Sequence, residues 1–340
     1  MRNERRDEIA ILSRLSIILS ACALAAASCG GTATDSADRT GMPAPVVSET
    51  EIQRLVDEAA AFADRSITAW PDVDAFVANY AEDIRGADPT HSDYCCKGRD
   101  ATVAYWRQWA RVSDYTINVT GMYLSTDGAA YEEAWPGLWP SDYGFTVPGP
   151  RDPAGAHALG IYRFRDGEVV WGEVWYPPDE NERFGFGCFA VDSCPAMKET
   201  VDRYITAWSS GDSNAVAALY SHDAVFTDGL LGLEATGADE IGDFAAGRFG
   251  STGDLSIEVL GLYAWTDGHF PPTEANPDRG RLVGVAIHYR AEVDGNGAAR
   301  VQEATTTLHL GNLQENSFDA DPRGLIHIEN VYHEPATLQS

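Results

Sequence analysis

The sequence predicts an α+β fold built twice in tandem, and three observations predict it. First, Ile67-Thr68-Ala69-Trp70 returns as Ile205-Thr206-Ala207-Trp208. The echo continues in order: Tyr80, Asp83 and Asp88 are answered by Tyr220, Asp223 and Asp228, and the turn segment 121–128 by 261–268. Each copy spans about 130 residues, the scale of a whole domain rather than of a solenoid unit. Second, in each copy an apolar pattern of helical period gives way to alternation of period two. Third, the first copy closes on a hairpin, strands 158–165 and 168–176 around the two-residue turn Asp166-Gly167. Helices followed by an antiparallel sheet is the α+β order.

In the first copy, Ser48-Glu49-Thr50-Glu51 forms a capping box. It precedes a stripe of Ile52, Leu55, Val56, Ala59, Phe62 and Ile67 at helical spacing. A second helical segment leads into Tyr80, and a third fits 100–110. Segments 115–124 and 129–135 are rich in β-branched and aromatic residues and read as strands. In the second copy, helices fit 195–208, 212–220 and 239–248, and strands fit 255–265, 282–293, 302–310 and 325–332.

The domain plan is a signal over 1–29, a flexible tether over 30–47, a domain over 48–180, a cysteine-containing linker over 181–197 and a second domain over 198–335. The signal rests on Arg2, Arg5, Arg6 and Arg14 ahead of an apolar run from Leu15 to Ala27, which is short for a membrane span. The run ends at Ser28-Cys29-Gly30-Gly31, the pattern of a bacterial lipoprotein signal, with Cys29 as the lipidated residue and Cys22 as the alternative. The expected location is therefore the cell envelope, outside the cytoplasm, with lipid as the membrane attachment. An exported chain favours disulfides, and Cys95, Cys96, Cys188 and Cys194 form an even set whose connectivity stays open. With 52 acidic against 24 basic residues, a formal charge of −28 excludes nucleic acid as a natural partner.

Alternation along the closing hairpin assigns faces. An unbroken hairpin sets Phe164 opposite Val169 and Tyr162 opposite Trp171. Tyr162, Phe164, Val169, Trp171, Glu173 and Trp175 then share the concave face. The second copy aligns with Thr306, Leu308, Leu310, Ile326, Ile328, Asn330 and Tyr332. Glu173 and Asn330 stand out as polar groups on that face, where a side chain needs partners or a shifted pKa. His288, His309 and His327 point outward on this reading, so the histidines are expected on the surface, which argues against a histidine metal site. No metal or organic cofactor is expected. The tryptophans of the first copy, Trp106, Trp109, Trp135, Trp139, Trp171 and Trp175, read as core or as the lining of an apolar cavity.

Arg203-Tyr204-Ile205, Gly211-Asp212, Leu219-Tyr220, Asp223-Ala224-Val225-Phe226-Thr227-Asp228 and Gly237 carry a resemblance. In the first copy, Ile67-Thr68-Ala69-Trp70, Tyr80, Asp83, Asp88 and Gly98 carry the same one. Both copies resemble the SnoaL-like branch of the nuclear transport factor 2-like superfamily. The resemblance implies two cone-shaped α+β barrels, each with N-terminal helices packed on a curved antiparallel sheet around a pocket. Trp70, Tyr80, Asp88, Tyr162, Trp171 and Glu173 would line the first pocket. Trp208, Tyr220, Thr306, Asn330 and Tyr332 would line the second. Similarity to ketosteroid isomerase, a relative on this fold, further implies Asp228 as a base next to a carbonyl and Tyr204 as donor to the enolate oxygen. That enzyme's second donor falls at Thr306. In the first copy the matching places hold Ser66 and Gly160, so only Asp88 is kept.

The expected function is the binding of a small apolar ligand or an envelope protein in the cone pockets. The alternative is cofactor-free proton transfer in the second domain. A third reading packs the two domains as an intramolecular pseudo-dimer.

Overall fold

The computed structural model describes residues 46–87, 96–111, 115–138, 155–177, 193–251, 255–266, 282–295, 298–314, 317–320 and 324–337. Asp88, Cys95, Trp139, Cys188 and the whole signal and tether up to residue 45 lie outside them. Of Cys96 and Cys194 only the backbone is described, in a short strand and in a helix respectively.

Domain 1 opens on α1 (Glu49–Arg65), which Ser48 caps by accepting the Glu51 N–H at 3.2 Å. Only half of the capping box forms, because the Glu51 carboxylate turns to Arg54 instead. The stripe of α1 that meets the core is Ile52, Leu55, Ala59, Phe62 and Ala63. The short α2 (Val73–Phe76) and α3 (Arg99–Ala110) complete the helical layer. The sheet comprises β1 (Tyr80–Ala87), β2 (Cys96–Lys97), β3 (Asn118–Leu124), β4 (Gly128–Trp135), β5 (Ala156–Arg165) and β6 (Glu168–Trp175), in spatial order β2-β1-β6-β5-β4-β3.

Domain 2 repeats the plan with α4 (Ser193–Ser210), α5 (Ser213–Ala217), β7 (Tyr220–Asp228), β8 (Leu233–Thr236) and α6 (Ala238–Ser251). Four more strands follow: β9 (Leu255–Thr266), β10 (Leu282–Gly295), β11 (Ala298–His309) and β14 (Ile326–His333). The small ribbon β12 (Gly311–Gln314) and β13 (Ser317–Ala320) lies between the last two. Each sheet is antiparallel except for one equivalent parallel pair, β1 with β6 and β7 with β14. The duplication seen in sequence is thus kept in topology.

Each domain buries one sheet face against its own helices. Trp70, Phe76, Trp106 and Tyr131 fill the interior of domain 1, and Tyr204, Trp208, Phe226 and Leu308 that of domain 2. The opposite faces meet each other. Tyr123, Ala130, Leu159, Ile161 and Trp175 from domain 1 pack with Tyr263, Trp265, Val283, Ala286 and Tyr332 from domain 2. At the seam β3 touches β14 through the Leu124–His333 pair, and Tyr176 bridges Ala264.

Two of the expected faces need correction. In the β5–β6 hairpin, Arg163 pairs with Trp171 but Phe164 pairs with Val169, leaving Val170 as an extra residue on β6. One inserted residue reverses every side chain beyond it. Tyr162 therefore lies opposite Gly172, and Trp171, Glu173 and Trp175 face domain 2 rather than the cone of domain 1. In β14, Glu329, Val331 and His333 pair with Leu308, Thr306 and Ala304 and share their inward face. Asn330 and Tyr332 turn to the opposite face, because the phase changes between Ile326 and Glu329, where the pairing with β7 also slips. His157 and His222 are exposed as expected, but the surface placement fails for three other histidines. His288 and His309 do leave the cone, but domain 1 covers them through Tyr123 and Trp175, and His333 points inward; all three are buried.

Candidate active site in domain 2

Asp228 ends β7 and is buried. Its Oδ1 accepts the Leu231 N–H at 3.2 Å. Both carboxylate oxygens lie 2.9 Å from His333 Nε2. A carboxylate only accepts, so Nε2 carries the hydrogen, and Nδ1 is left to accept from the side-chain amide of Gln302. The last inward residue of β14 and an inward residue of β11 thus orient a buried histidine–aspartate pair.

Across the cavity stands a second carboxyl, Glu329, also buried. Its Oε1 accepts from the Tyr204 hydroxyl at 2.7 Å and the Thr306 hydroxyl at 2.8 Å, and its Oε2 from the Tyr220 hydroxyl. Burial pushes the Glu329 carboxyl above its ordinary range, and the charge of Asp228 adds to this against the three hydroxyl donors. Burial, then Glu329, raises both phenols well above the usual tyrosine value, so they keep their protons. Trp208, Phe226 and Val331 complete a cavity of about 40 Å³, and Leu255, Ile257, Tyr289 and Ala291 form its remaining lining. That volume suits a water or the reacting end of a small molecule.

The structure therefore gathers Tyr204, Trp208 and Asp228 around one cavity and seats Tyr220 and Thr306 behind it on Glu329. Asn330 and Tyr332 lie on the other side of the sheet. Glu329, His333 and Gln302 escaped the sequence reading. The phase of Glu329 and His333 turns on the slip in β14, whereas Gln302 on β11 is in phase with Thr306 and Leu308 and is legible by alternation.

Domain 1 has a different interior. Trp70 meets Phe76, Trp106 and Tyr115 at ring-centroid distances of 5.4, 5.8 and 5.1 Å. Trp70, Tyr80 and Tyr162 face this core, as expected of their positions. Trp171 and Glu173 do not. Glu173 accepts the indole N–H groups of Trp171 at 2.6 Å and Trp175 at 3.0 Å within the seam between the domains. The buried acid of the first cone is Glu133 of β4, which accepts from Trp135 Nε1 at 2.8 Å. Its other oxygen has no partner. Gly160 makes room for it, since a Cβ there would lie 2.3 Å from that oxygen.

Burial pushes Glu133 up to about 7 from 4.5, against the indole hydrogen bond it accepts and the neighbouring Tyr162 hydroxyl. A carboxyl whose folded pKa exceeds its unfolded one binds its proton more tightly when folded. Its contribution to stability is fully present below 4.5 and is lost as the pH rises through 7. The span corresponds to ~3 kcal/mol. Urea unfolding should show the wild type losing stability between about pH 4.5 and 7, and Glu133→Gln losing clearly less over that window. Equal losses in the two proteins would exclude Glu133 as the source.

The chain is similar to a protein with a ketosteroid isomerase-like fold from Catenulispora acidiphila, solved in complex with trimethylamine, at 16% identity over 41% of this chain and 88% of that one, with a TM-score of 0.30. It is similar to an epoxide hydrolase of the LEH-like type from M. tuberculosis at 11% identity, covering 44% of this chain and 89% of that one, with a TM-score of 0.31. It is also similar to a protein named as a SnoaL-like polyketide cyclase from Shewanella denitrificans at 15% identity, covering 43% and 95%, with a TM-score of 0.31. No curated protein matches. The profile of the SnoaL-like domain matches twice, over residues 56–171 and 201–310, together most of the chain. The chain thus belongs to the SnoaL-like domain family, with two copies in tandem.

Proposed function

We propose that domain 2 is a cofactor-free acid–base catalyst that moves a proton next to a carbonyl group in a small substrate. One observation carries this reading: two buried carboxyls, Asp228 and Glu329, face one cavity in opposite settings. Asp228 is met by an imidazole N–H and a backbone N–H. Glu329 is held above its ordinary range among three hydroxyls. Such divergence separates a base from an acid in one site. Asp228 takes the proton from carbon, and His333 steadies it. Once protonated, Glu329 donates to the Tyr204 oxygen, which frees the Tyr204 hydroxyl to donate to the oxygen that becomes negative. A cavity of about 40 Å³ is far below the ~300 Å³ of a pocket that stores a ligand. This favours catalysis at the reacting end of a substrate over retention of an apolar molecule in this cone.

Cyclopentanone in D₂O provides the test, with its ring at the apolar mouth and its carbonyl end in the cavity. The protein should accelerate deuterium uptake at the α-carbons over buffer alone, read by mass spectrometry. The absence of any acceleration between about pH 5 and 8, the range in which such groups operate, would end this reading.

The proposal includes export and a lipid anchor at Cys29, supported by the basic start, the apolar run to Ala27 and the Ser28-Cys29-Gly30 junction. Cells fed a palmitate analogue should label the wild type and Cys22→Ala but not Cys29→Ala. Label lost instead in Cys22→Ala would move the anchor to that residue.

A further inference from the structure

We infer that domain 1 completes the site of domain 2 by holding both members of its histidine–aspartate pair, an inference that rests on the acid–base reading for its catalytic meaning. Asp228 is the last residue of β7, and the chain then leaves its own domain. Gly229 sits against the β3–β4 turn of domain 1: a Cβ at 229 would lie 2.2 Å from Thr126 Oγ1 and 3.3 Å from Ser125 Oγ. Leu230 is fully buried in the core of domain 1, not of domain 2. Its carbonyl accepts the Val46 N–H, ahead of α1, at 3.0 Å. Leu231 then returns and gives its N–H to Asp228 Oδ1. The amide that fixes the carboxylate thus belongs to a loop pinned inside the other domain.

The histidine is held from the same side. His333 pairs with Leu124 at the end of β3. Its neighbour Tyr332 is buried in the seam, where its hydroxyl faces the guanidinium of Arg163 on β5. Catalytic groups need their geometry held to within roughly half an ångström by their supporting shell. Here domain 1 supplies part of that shell for both members, beside Gln302 of domain 2 on His333. Leu230, Thr126 and Arg163 are positioning residues: none lines the cavity. The first copy is therefore more than a relic of duplication, although its own cone is packed with aromatic rings. It also explains why Gly229 must be glycine: the turn of domain 1 occupies the space of a side chain.

Gly229→Ala in the full chain tests this. The new methyl collides with Thr126, so the loop must shift and carry the Leu231 amide with it. The ¹H–¹³C resonance of His333 Cε1 should move, while far-UV circular dichroism stays that of the wild type. Deuterium uptake by cyclopentanone should fall about tenfold or more, chiefly in kcat. Adding Thr126→Gly, which clears the space, should return both readouts toward the wild type. If Gly229→Ala does not fold, Leu230→Val opens a gap in the core of domain 1 and serves for the same two readouts. A folded variant whose His333 resonance stays in place overturns the inference, whether or not the wild type processes cyclopentanone. A resonance that moves in a protein that never accelerates exchange would leave the inter-domain clamp standing and remove the acid–base function.

Discussion

Asp228→Asn is expected to lower cyclopentanone α-proton exchange by about 10²–10⁴-fold, the contribution of a positioned general base. The amide keeps the shape of the carboxylate, so the fold and the cavity should persist, but it has no lone pair basic enough to take a proton from carbon. Its NH₂ would also face the His333 Nε2–H, setting donor against donor. Because the base acts only in the transition state, the loss should fall on kcat and leave KM nearly unchanged. Removing the Tyr204 hydroxyl in Tyr204→Phe should cost less, because Glu329 remains on that wall, backed by Thr306. The pH profile adds a second check. The acid is active while Glu329 is protonated, and its pKa is raised. Activity should therefore survive above the ordinary carboxyl range and decline as the pH rises through the folded pKa of Glu329. In Glu329→Gln that alkaline limb should vanish. An Asp228→Asn protein that keeps exchange within a few-fold of the wild type would remove Asp228 as the base.

Much of this molecule is legible in its sequence, and the boundary is instructive. Tyr204 reaches the site on a helix of unbroken period, and Asp228 keeps the phase of Ala224 and Phe226 along the end of β7. The repeat also fixes their place, since the first copy shows which neighbours are scaffold. Glu329 and His333 were missed because alternation was carried across irregular pairing in β14. Glu173 was misassigned because an extra residue, Val170, lies inside what reads as a simple hairpin. Strand phase is a strictly local count, and a single insertion inverts it. The histidines fail for another reason. Alternation says that His288 and His309 leave the cone, which is right, but only tertiary structure says that a second sheet awaits them. The duplication itself points there through the pseudo-dimer reading: two domains whose outer faces carry Trp175, Trp265, Tyr263 and Tyr332 have apolar surface to hide from water.

That seam yields the largest stability effect. Trp175→Ala is expected to cost about 3–5 kcal/mol, the range for truncating a buried tryptophan. Its ring is completely inaccessible and lies 5.5 Å from Trp265 and 5.3 Å from His309, centroid to centroid. Gly284 is shaped to it: a Cβ there would come within 2.5 Å of the indole. Truncation leaves a void with little room to collapse, because both walls are strands of hydrogen-bonded sheets. It also strips Glu173 of one of its two indole donors where water has no access. Trp175→Phe keeps most of the ring and should cost clearly less, the difference reporting the lost indole donor together with the smaller ring. Urea unfolding followed by far-UV circular dichroism would measure both. Gly284→Ala approaches the same contact from domain 2 and should destabilise by overpacking, about 1–3 kcal/mol. Combining Gly284→Ala with Trp175→Phe should cost less than the sum of the two, because the shorter ring clears the space the methyl needs. Strict additivity, or a loss under about 1 kcal/mol for Trp175→Ala, well short of a core truncation, would mean that the two domains do not meet through this residue.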